Sequence, residues 1–138
     1  GNRLERPVDN VFDRLRQSFP GLRFNWSIVD SPDLFLEQEK LATGFNGAIA
    51  PSNAGQRLWL RVERQTLRRL PVSGGVLYTI RTYVDPLDHL TAEAKVAAQL
   101  FRAVQTLQPD LQVYKNLLPF REALLTYLDR CAVSTTKL

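Results

Sequence analysis

Charged residues stand inside two segments, 58–63 and 76–84, whose alternating apolar pattern is typical of buried β-strands. Arg61 and Glu63 lie within the first segment, Arg64 comes directly after it, and Arg81 lies within the second. A charge among apolar neighbours is costly unless it is paired or holds an anion. If the strands pair evenly about the turn between them, Arg64 and Arg81 lie close together and repel unless Glu63, Asp85 or an external anion separates them. Because arginine binds carboxylates in a bidentate fork, a carboxylate or a propionate fits this position.

A plainer interpretation of the same residues stays open. Glu63, Arg64 and Arg81 can form exposed cross-strand ion pairs, each contributing ~0.2–1 kcal/mol. The group Arg64, Arg68 and Arg69 can equally be a solvated strand face, and by charge pattern alone this is the favoured interpretation.

The single histidine and the single cysteine restrict the chemistry further. His89 comes four residues after a strand and just before a helix, where a surface or capping role is the common case and an axial haem ligand is the alternative. A lone Cys131 excludes an internal disulfide and a multi-cysteine metal site, and its position predicts a small core residue. Gly74-Gly75 predicts a hairpin turn rather than a phosphate loop, because no helix follows it.

The elements that must position these residues predict an α+β fold, with helices packed on an antiparallel sheet. The second hairpin strand, apolar on both faces, is predicted to be central and covered on both sides. Thr91 is predicted to cap the helix that follows. The predicted order is a helix carrying Val11, Phe12, Leu15 and Phe19, a strand from Leu22 to Val29, a long loop from Glu37 to Arg57, the hairpin, a helix from Ala92 to Leu107, and a last helix from about Pro119.

Length and composition indicate one globular domain. The chain has 138 residues, 44% hydrophobic and 23% charged, with a net charge of +4. It has no apolar run long enough to span a bilayer and no signal peptide, so we expect a soluble, cytoplasmic protein without a membrane partner.

The mild positive charge permits an anionic partner, but basic and aromatic residues do not alternate along one helix, so nucleic acid is not expected as a partner. No known catalytic motif is present.

The hairpin contains a long and specific run of residues. It reads Arg61-Val62-Glu63-Arg64-Gln65-Thr66-Leu67-Arg68-Arg69-Leu70-Pro71, then Ser73-Gly74, Thr79-Ile80-Arg81-Thr82-Tyr83 and Pro86-Leu87. Weaker matches are Arg23-Phe24-Asn25-Trp26-Ser27 and Tyr114-Lys115-Asn116-Leu117, where glycine is usual at position 116. In these residues the chain resembles the haem-dependent oxidative N-demethylase family.

The resemblance implies a PAS-like fold that holds haem b and takes part in O2-dependent N-demethylation of small secondary amines such as dimethylamine. Electrons then come from a flavin and iron–sulfur reductase. The resemblance, with the charge pattern, makes Arg64, Arg81 and Tyr83 the expected cofactor contacts, Glu63 their orienting partner and His89 the candidate iron ligand. Family members are longer, so residues 1–138 are expected to be one PAS-like domain, the C-terminal portion of a longer protein, inactive without its N-terminal part.

Two alternatives to haem binding stay open. The chain can be a haem-free PAS-like module that binds or senses a small ligand and signals through a partner. It can also be a structural interaction domain that packs on an N-terminal half or forms a homo-oligomer, and exposed apolar surface would favour this second alternative.

Overall fold

Three strands and four α-helices form the part of the chain that the computed structural model describes, residues 14–35 and 48–133. The sheet is antiparallel with the order β1-β2-β3, so the α+β prediction is confirmed. In chain order the elements are β1 (Gly21–Val29), α1 (Ala54–Arg57), β2 (Trp59–Arg69), β3 (Val76–Pro86), a 3₁₀-helix (Leu87–Ala92), α2 (Ala94–Thr106), α3 (Pro109–Tyr114), a 3₁₀-turn (Leu118–Phe120) and α4 (Arg121–Val133).

These residues fall into two compact units. The hairpin unit contains the described residues 14–26 and 62–83, and the helical unit contains 27–35, 48–61 and 84–133. Strands β2 and β3 contribute residues to both units. Each unit is described separately below.

The helical unit holds the apolar core. Helices α2 and α4 pack on each other, and apolar residues at helical spacing, such as Val104 on α2 and Leu124 and Leu128 on α4, are fully buried. Cys131 is buried and free, as predicted. Full burial of a leucine side chain contributes roughly 1.5–3 kcal/mol, so this layer supplies most of the unit's stability.

The hairpin unit has almost no core of its own among its described residues. Gln65 is its one buried side chain, whereas every buried apolar residue of the described chain belongs to the helical unit. Its strands are joined by a turn in which the Leu70 amide donates to the Gly75 carbonyl at 2.8 Å. Gly74 occupies the left-handed region there, with φ of 70°, which suits a residue without a Cβ. The hairpin prediction is therefore confirmed.

The prediction that β3 is central and covered on both sides is wrong for the described chain. Strand β2 lies in the middle of the sheet and β3 lies at an edge. Apolar side chains on both faces of β3 are about half exposed: Leu77 49%, Tyr78 48% and Ile80 51%. Apolar residues on both faces predict a covered strand, but the described residues provide no cover for β3.

Three local predictions also differ from the structure. Residues 15–20 form a turn closed by an Arg16–Phe19 bridge. The predicted first helix therefore does not extend over Leu15 and Phe19. Residues 11–13 of that predicted helix lie outside the described chain. Helix α1 lies in the segment predicted as loop, of which residues 37–47 are likewise outside the described chain. Thr91 does not cap α2, because its hydroxyl donates back to the Asp88 carbonyl at 2.7 Å.

Within the described ranges, no helix is both long and apolar enough to cross a membrane.

Candidate functional site

The strand register places Arg64 directly opposite Arg81. The Leu70 amide bonds to the Gly75 carbonyl, and the hydroxyl groups of Thr66 and Thr79 are hydrogen-bonded to each other across the strands. Pairing continues by one residue on each strand, so two residues beyond the threonine pair the two arginines face each other. We call the sheet surface that carries Arg64, Thr66, Arg68, Thr79, Arg81 and Tyr83 the arginine face.

Tyr83 supports the guanidinium group of Arg81. The guanidinium carbon lies 5.2 Å from the centre of the Tyr83 ring, within the range of a cation–π contact. The two residues are neighbours on one face of β3, because side chains alternate along a strand. The contact holds one guanidinium over a ring that is itself 41% exposed, so Arg81 is positioned while its charge still faces solvent.

The arginine face has no carboxylate of its own among the described residues of the hairpin unit. Arg64 and Arg68 are exposed and make no hydrogen bond or ion pair within the described chain. Like charges directly opposite each other in a sheet are destabilising. A bound anion between Arg64 and Arg81 would remove that cost, and bidentate guanidinium contacts favour a carboxylate.

Glu63 does not lie between the two arginines. As the strand neighbour of Arg64 it points to the other face of β2, where its carboxylate accepts a hydrogen bond from the Gln65 amide at 3.1 Å. Gln65 is 9% exposed, so this pair belongs to the more covered face of the hairpin. The cofactor-binding role of Glu63 stays a prediction, and the arginine face does not contain its carboxylate.

His89 lies in the helical unit, on the 3₁₀-helix that follows β3. Its Nδ1 lies 3.8 Å from a carboxylate oxygen of Asp85, and both side chains are 66% exposed. The described residues contain no cluster of three or more metal-ligating side chains. The iron-ligand role of His89 therefore stays a prediction.

Positive charge is concentrated in the hairpin unit, which the sequence analysis did not anticipate. Its described residues carry seven arginines, no lysine and one carboxylate, that of Glu63. The chain's net charge of +4 hides this concentration, because most of the carboxylates lie outside the hairpin unit and offset its arginines in the sum. The sequence indicated this concentration of positive charge only through the local density of arginine at Arg64, Arg68 and Arg69.

The fold and the site together define an α+β chain whose described hairpin residues form a cationic sheet surface with little apolar cover. The family model that matches is described as haem-dependent oxidative N-demethylase, alpha subunit-like, and it covers residues 1–125. The chain belongs to this family, which confirms the resemblance noted in the hairpin residues. The family's description gives dependence on haem, and "alpha subunit" indicates a protein that works with further subunits.

Proposed function

We propose that this chain binds haem b as part of an oxidative N-demethylase system and that Arg64 and Arg81 hold the haem propionates. The observation that carries the proposal is the pair of opposed, exposed arginines, for which the described residues of the hairpin unit offer no carboxylate on the same face. Asp85 follows on the same side of β3, in the helical unit, where its carboxylate lies beside His89. Two propionates supply the two negative charges that this pair lacks. Family membership supports haem as the source of those carboxylates.

The residues on the arginine face fit the carboxylate edge of a haem. Each guanidinium presents a fork of N–H donors that matches a carboxylate. Tyr83 holds Arg81 in place, which lowers the entropy lost when the ligand binds. Arg68 and the two threonine hydroxyls extend the same polar surface along the strands.

We propose separately that His89, in the helical unit, is the iron ligand. A ligating histidine usually has its other ring nitrogen beside a carboxylate or a carbonyl, and Asp85 lies beside Nδ1. Nε2 is then the atom that would meet the iron. Bound haem supplies oxygen activation for oxidising an N-methyl group, and this chain's own residues hold the cofactor in position.

The remaining parts of the system are proposed from the family. The substrate class is small secondary amines such as dimethylamine, and the electron donor is a flavin and iron–sulfur reductase. A PAS-like fold, a cytoplasmic location and completion by an N-terminal part of the same protein are further proposals from the family. The thin apolar cover of the described hairpin residues supports the last of them.

The test is a titration of the full chain with hemin, followed by the Soret absorption band. We expect a stoichiometric band for the unmodified chain, and a dissociation constant about tenfold or more higher for Arg64→Gln and for Arg81→Gln, since each loses a charge-assisted contact. Arg102→Gln, an exposed arginine on α2, is the matched control and should bind as the unmodified chain does.

His89→Ala completes the experiment. It should shift the position of the Soret band, because the iron loses its nitrogen ligand, while the contacts of Arg64 and Arg81 stay intact. Haem affinity that is equal in the Arg64, Arg81 and Arg102 variants would refute the propionate assignment. An unchanged spectrum in His89→Ala would refute the ligand assignment alone.

A further inference from the structure

The outer edge of β3 presents backbone groups that nothing in the described chain pairs. Gly75 bonds to Leu70 of β2, and in an antiparallel ladder the bonded pairs recur at every second residue. The odd-numbered residues of β3 therefore face β2, and the even-numbered residues, from Val76 to Thr82 in the hairpin unit, direct their N–H and C=O groups away from it. No described strand lies beyond β3.

Side chains along this edge are apolar and exposed on both sheet faces. Tyr78 and Ile80 project from one face and Leu77 from the other, each about half exposed. Folded proteins usually protect a long edge strand with lysine, proline or a bulge. Residues 76–83 contain no lysine and no proline, and Arg81 is their one charged side chain, so most of this edge carries none of the usual protections against pairing.

The charge of the hairpin unit indicates what the edge would pair with. Its described residues carry seven arginines against one carboxylate. A second copy of the chain would bring the same arginines to the interface, whereas an acidic segment would neutralise them. Arg81, on the same strand, sets where a carboxylate belongs.

We propose that the outer edge of β3 docks an extended segment of a partner polypeptide, which adds to the sheet as a strand. The added segment is apolar on the face that meets Tyr78 and Ile80, and acidic on the face that meets Arg81. Backbone hydrogen bonds supply affinity, and the alternation of side chains supplies specificity. Backbone pairing at this edge requires no haem, but a carboxylate of the docked segment at Arg81 would compete with the proposed haem propionate for the same guanidinium group.

The probe is a fluorescently labelled peptide of alternating valine and glutamate, added to the full chain and followed by fluorescence anisotropy. Ile80→Lys and Tyr78→Lys should each raise the dissociation constant about tenfold, since each removes an apolar contact at the edge. Val72→Lys is the matched control, because this valine is 99% exposed in the turn and away from the edge. It should leave the affinity within about twofold.

Two results would overturn the proposal. The first is equal binding of a peptide with the same composition but with its valines and glutamates in separate blocks, because that would show attraction of charge without strand pairing. The second is a dimer of the chain alone, seen by analytical ultracentrifugation and lost in Ile80→Lys, because the edge would then be occupied by a second copy. Circular dichroism of each variant separates loss of binding from loss of folding.

Discussion

Arg64 and Arg81 face each other across neighbouring strands, and no carboxylate in the described part of the hairpin unit lies between them. Two guanidinium groups opposite each other repel, and the nearest carboxylate in sequence, Glu63, points to the other face of the sheet. Tyr83 stabilises one of the two charges but does not neutralise it. The proposed propionates would remove this repulsion.

Tyr127 gives a prediction on pH dependence in the helical unit. Its hydroxyl donates to the Leu87 carbonyl at 3.2 Å. Burial, reinforced by Cys131 and Asp88, raises the pKa of the Tyr127 phenol above its usual range. The folded state thus keeps a proton that the unfolded state loses above about pH 10, so the free energy of unfolding falls as the pH rises through that value.

Urea unfolding between about pH 9 and pH 11 measures this effect. Tyr127→Phe should be less stable at neutral pH, because the bond to Leu87 is lost, and its stability should fall less steeply above about pH 10. Tyr114→Phe is the control, since Tyr114 is 78% exposed. A slope in Tyr127→Phe equal to that of the unmodified chain would show that Tyr127 is not its source.

At the level of elements, the end of α3 shows why the family motif often has glycine where this chain has Asn116. Asn116 lies in the left-handed region, with φ of 52°. Its amide donates to the Val113 carbonyl at 2.9 Å and the Leu117 amide donates to the Gln112 carbonyl at 3.0 Å, the pattern of a Schellman cap. Glycine and asparagine are the residues that adopt this conformation most easily.

Alanine and glycine should therefore rank in opposite order at two helical positions. At position 116 the Ala variant should be less stable than the Gly variant by about 1 kcal/mol, because a Cβ is strained there. At Gln99, exposed in the middle of α2, Gln99→Gly should be less stable than Gln99→Ala by about 1 kcal/mol. Denaturant unfolding of the four variants measures both differences, and the same order at both positions would contradict the assigned cap.

Periodicity predicted the elements better than it predicted their surroundings. The alternation in β2 and β3 located the hairpin, its turn and, with even pairing, the meeting of Arg64 with Arg81. The same pattern placed β3 in the centre of the sheet, because apolar residues on both faces indicate a need for cover. Alternation within a strand cannot show which strands lie beside it, and the described chain leaves β3 at an edge.

Short helices with weak sequence signals were also missed. Helix α1 has four residues within a glycine- and proline-rich stretch. Helix α3 begins at Pro109, two residues after the predicted end of the preceding helix, where no helix was predicted although proline is favoured in a first turn. Burial of Ala54 and Gly55 supports α1, whereas α3 has no buried residue and is held by local hydrogen bonds, such as that from the Gln112 side-chain amide to the Leu107 carbonyl. Isolated helices of this length are not stable in water.

On the scale of the whole molecule, the excess positive charge and the buried apolar side chains of the described residues belong to different units. The helical unit contains the buried apolar residues, and the described part of the hairpin unit contains most of the unbalanced positive charge with almost no buried side chain. The chain's overall composition conceals this separation. Exposed apolar strands, together with Arg64 and Arg68, which have no partner within the described chain, fit a ligand or partner that is both anionic and apolar, and haem has both properties.

The most direct test of the central claim compares hemin with its propionate dimethyl ester, in the unmodified chain and in an Arg64→Gln, Arg81→Gln double variant. If the arginines bind the propionates, hemin should lose about a hundredfold or more in affinity on substitution, whereas the ester should bind weakly to both proteins and with equal affinity. Equal losses for hemin and ester would contradict the account, because the arginines would then act on the protein's fold rather than on the carboxylates.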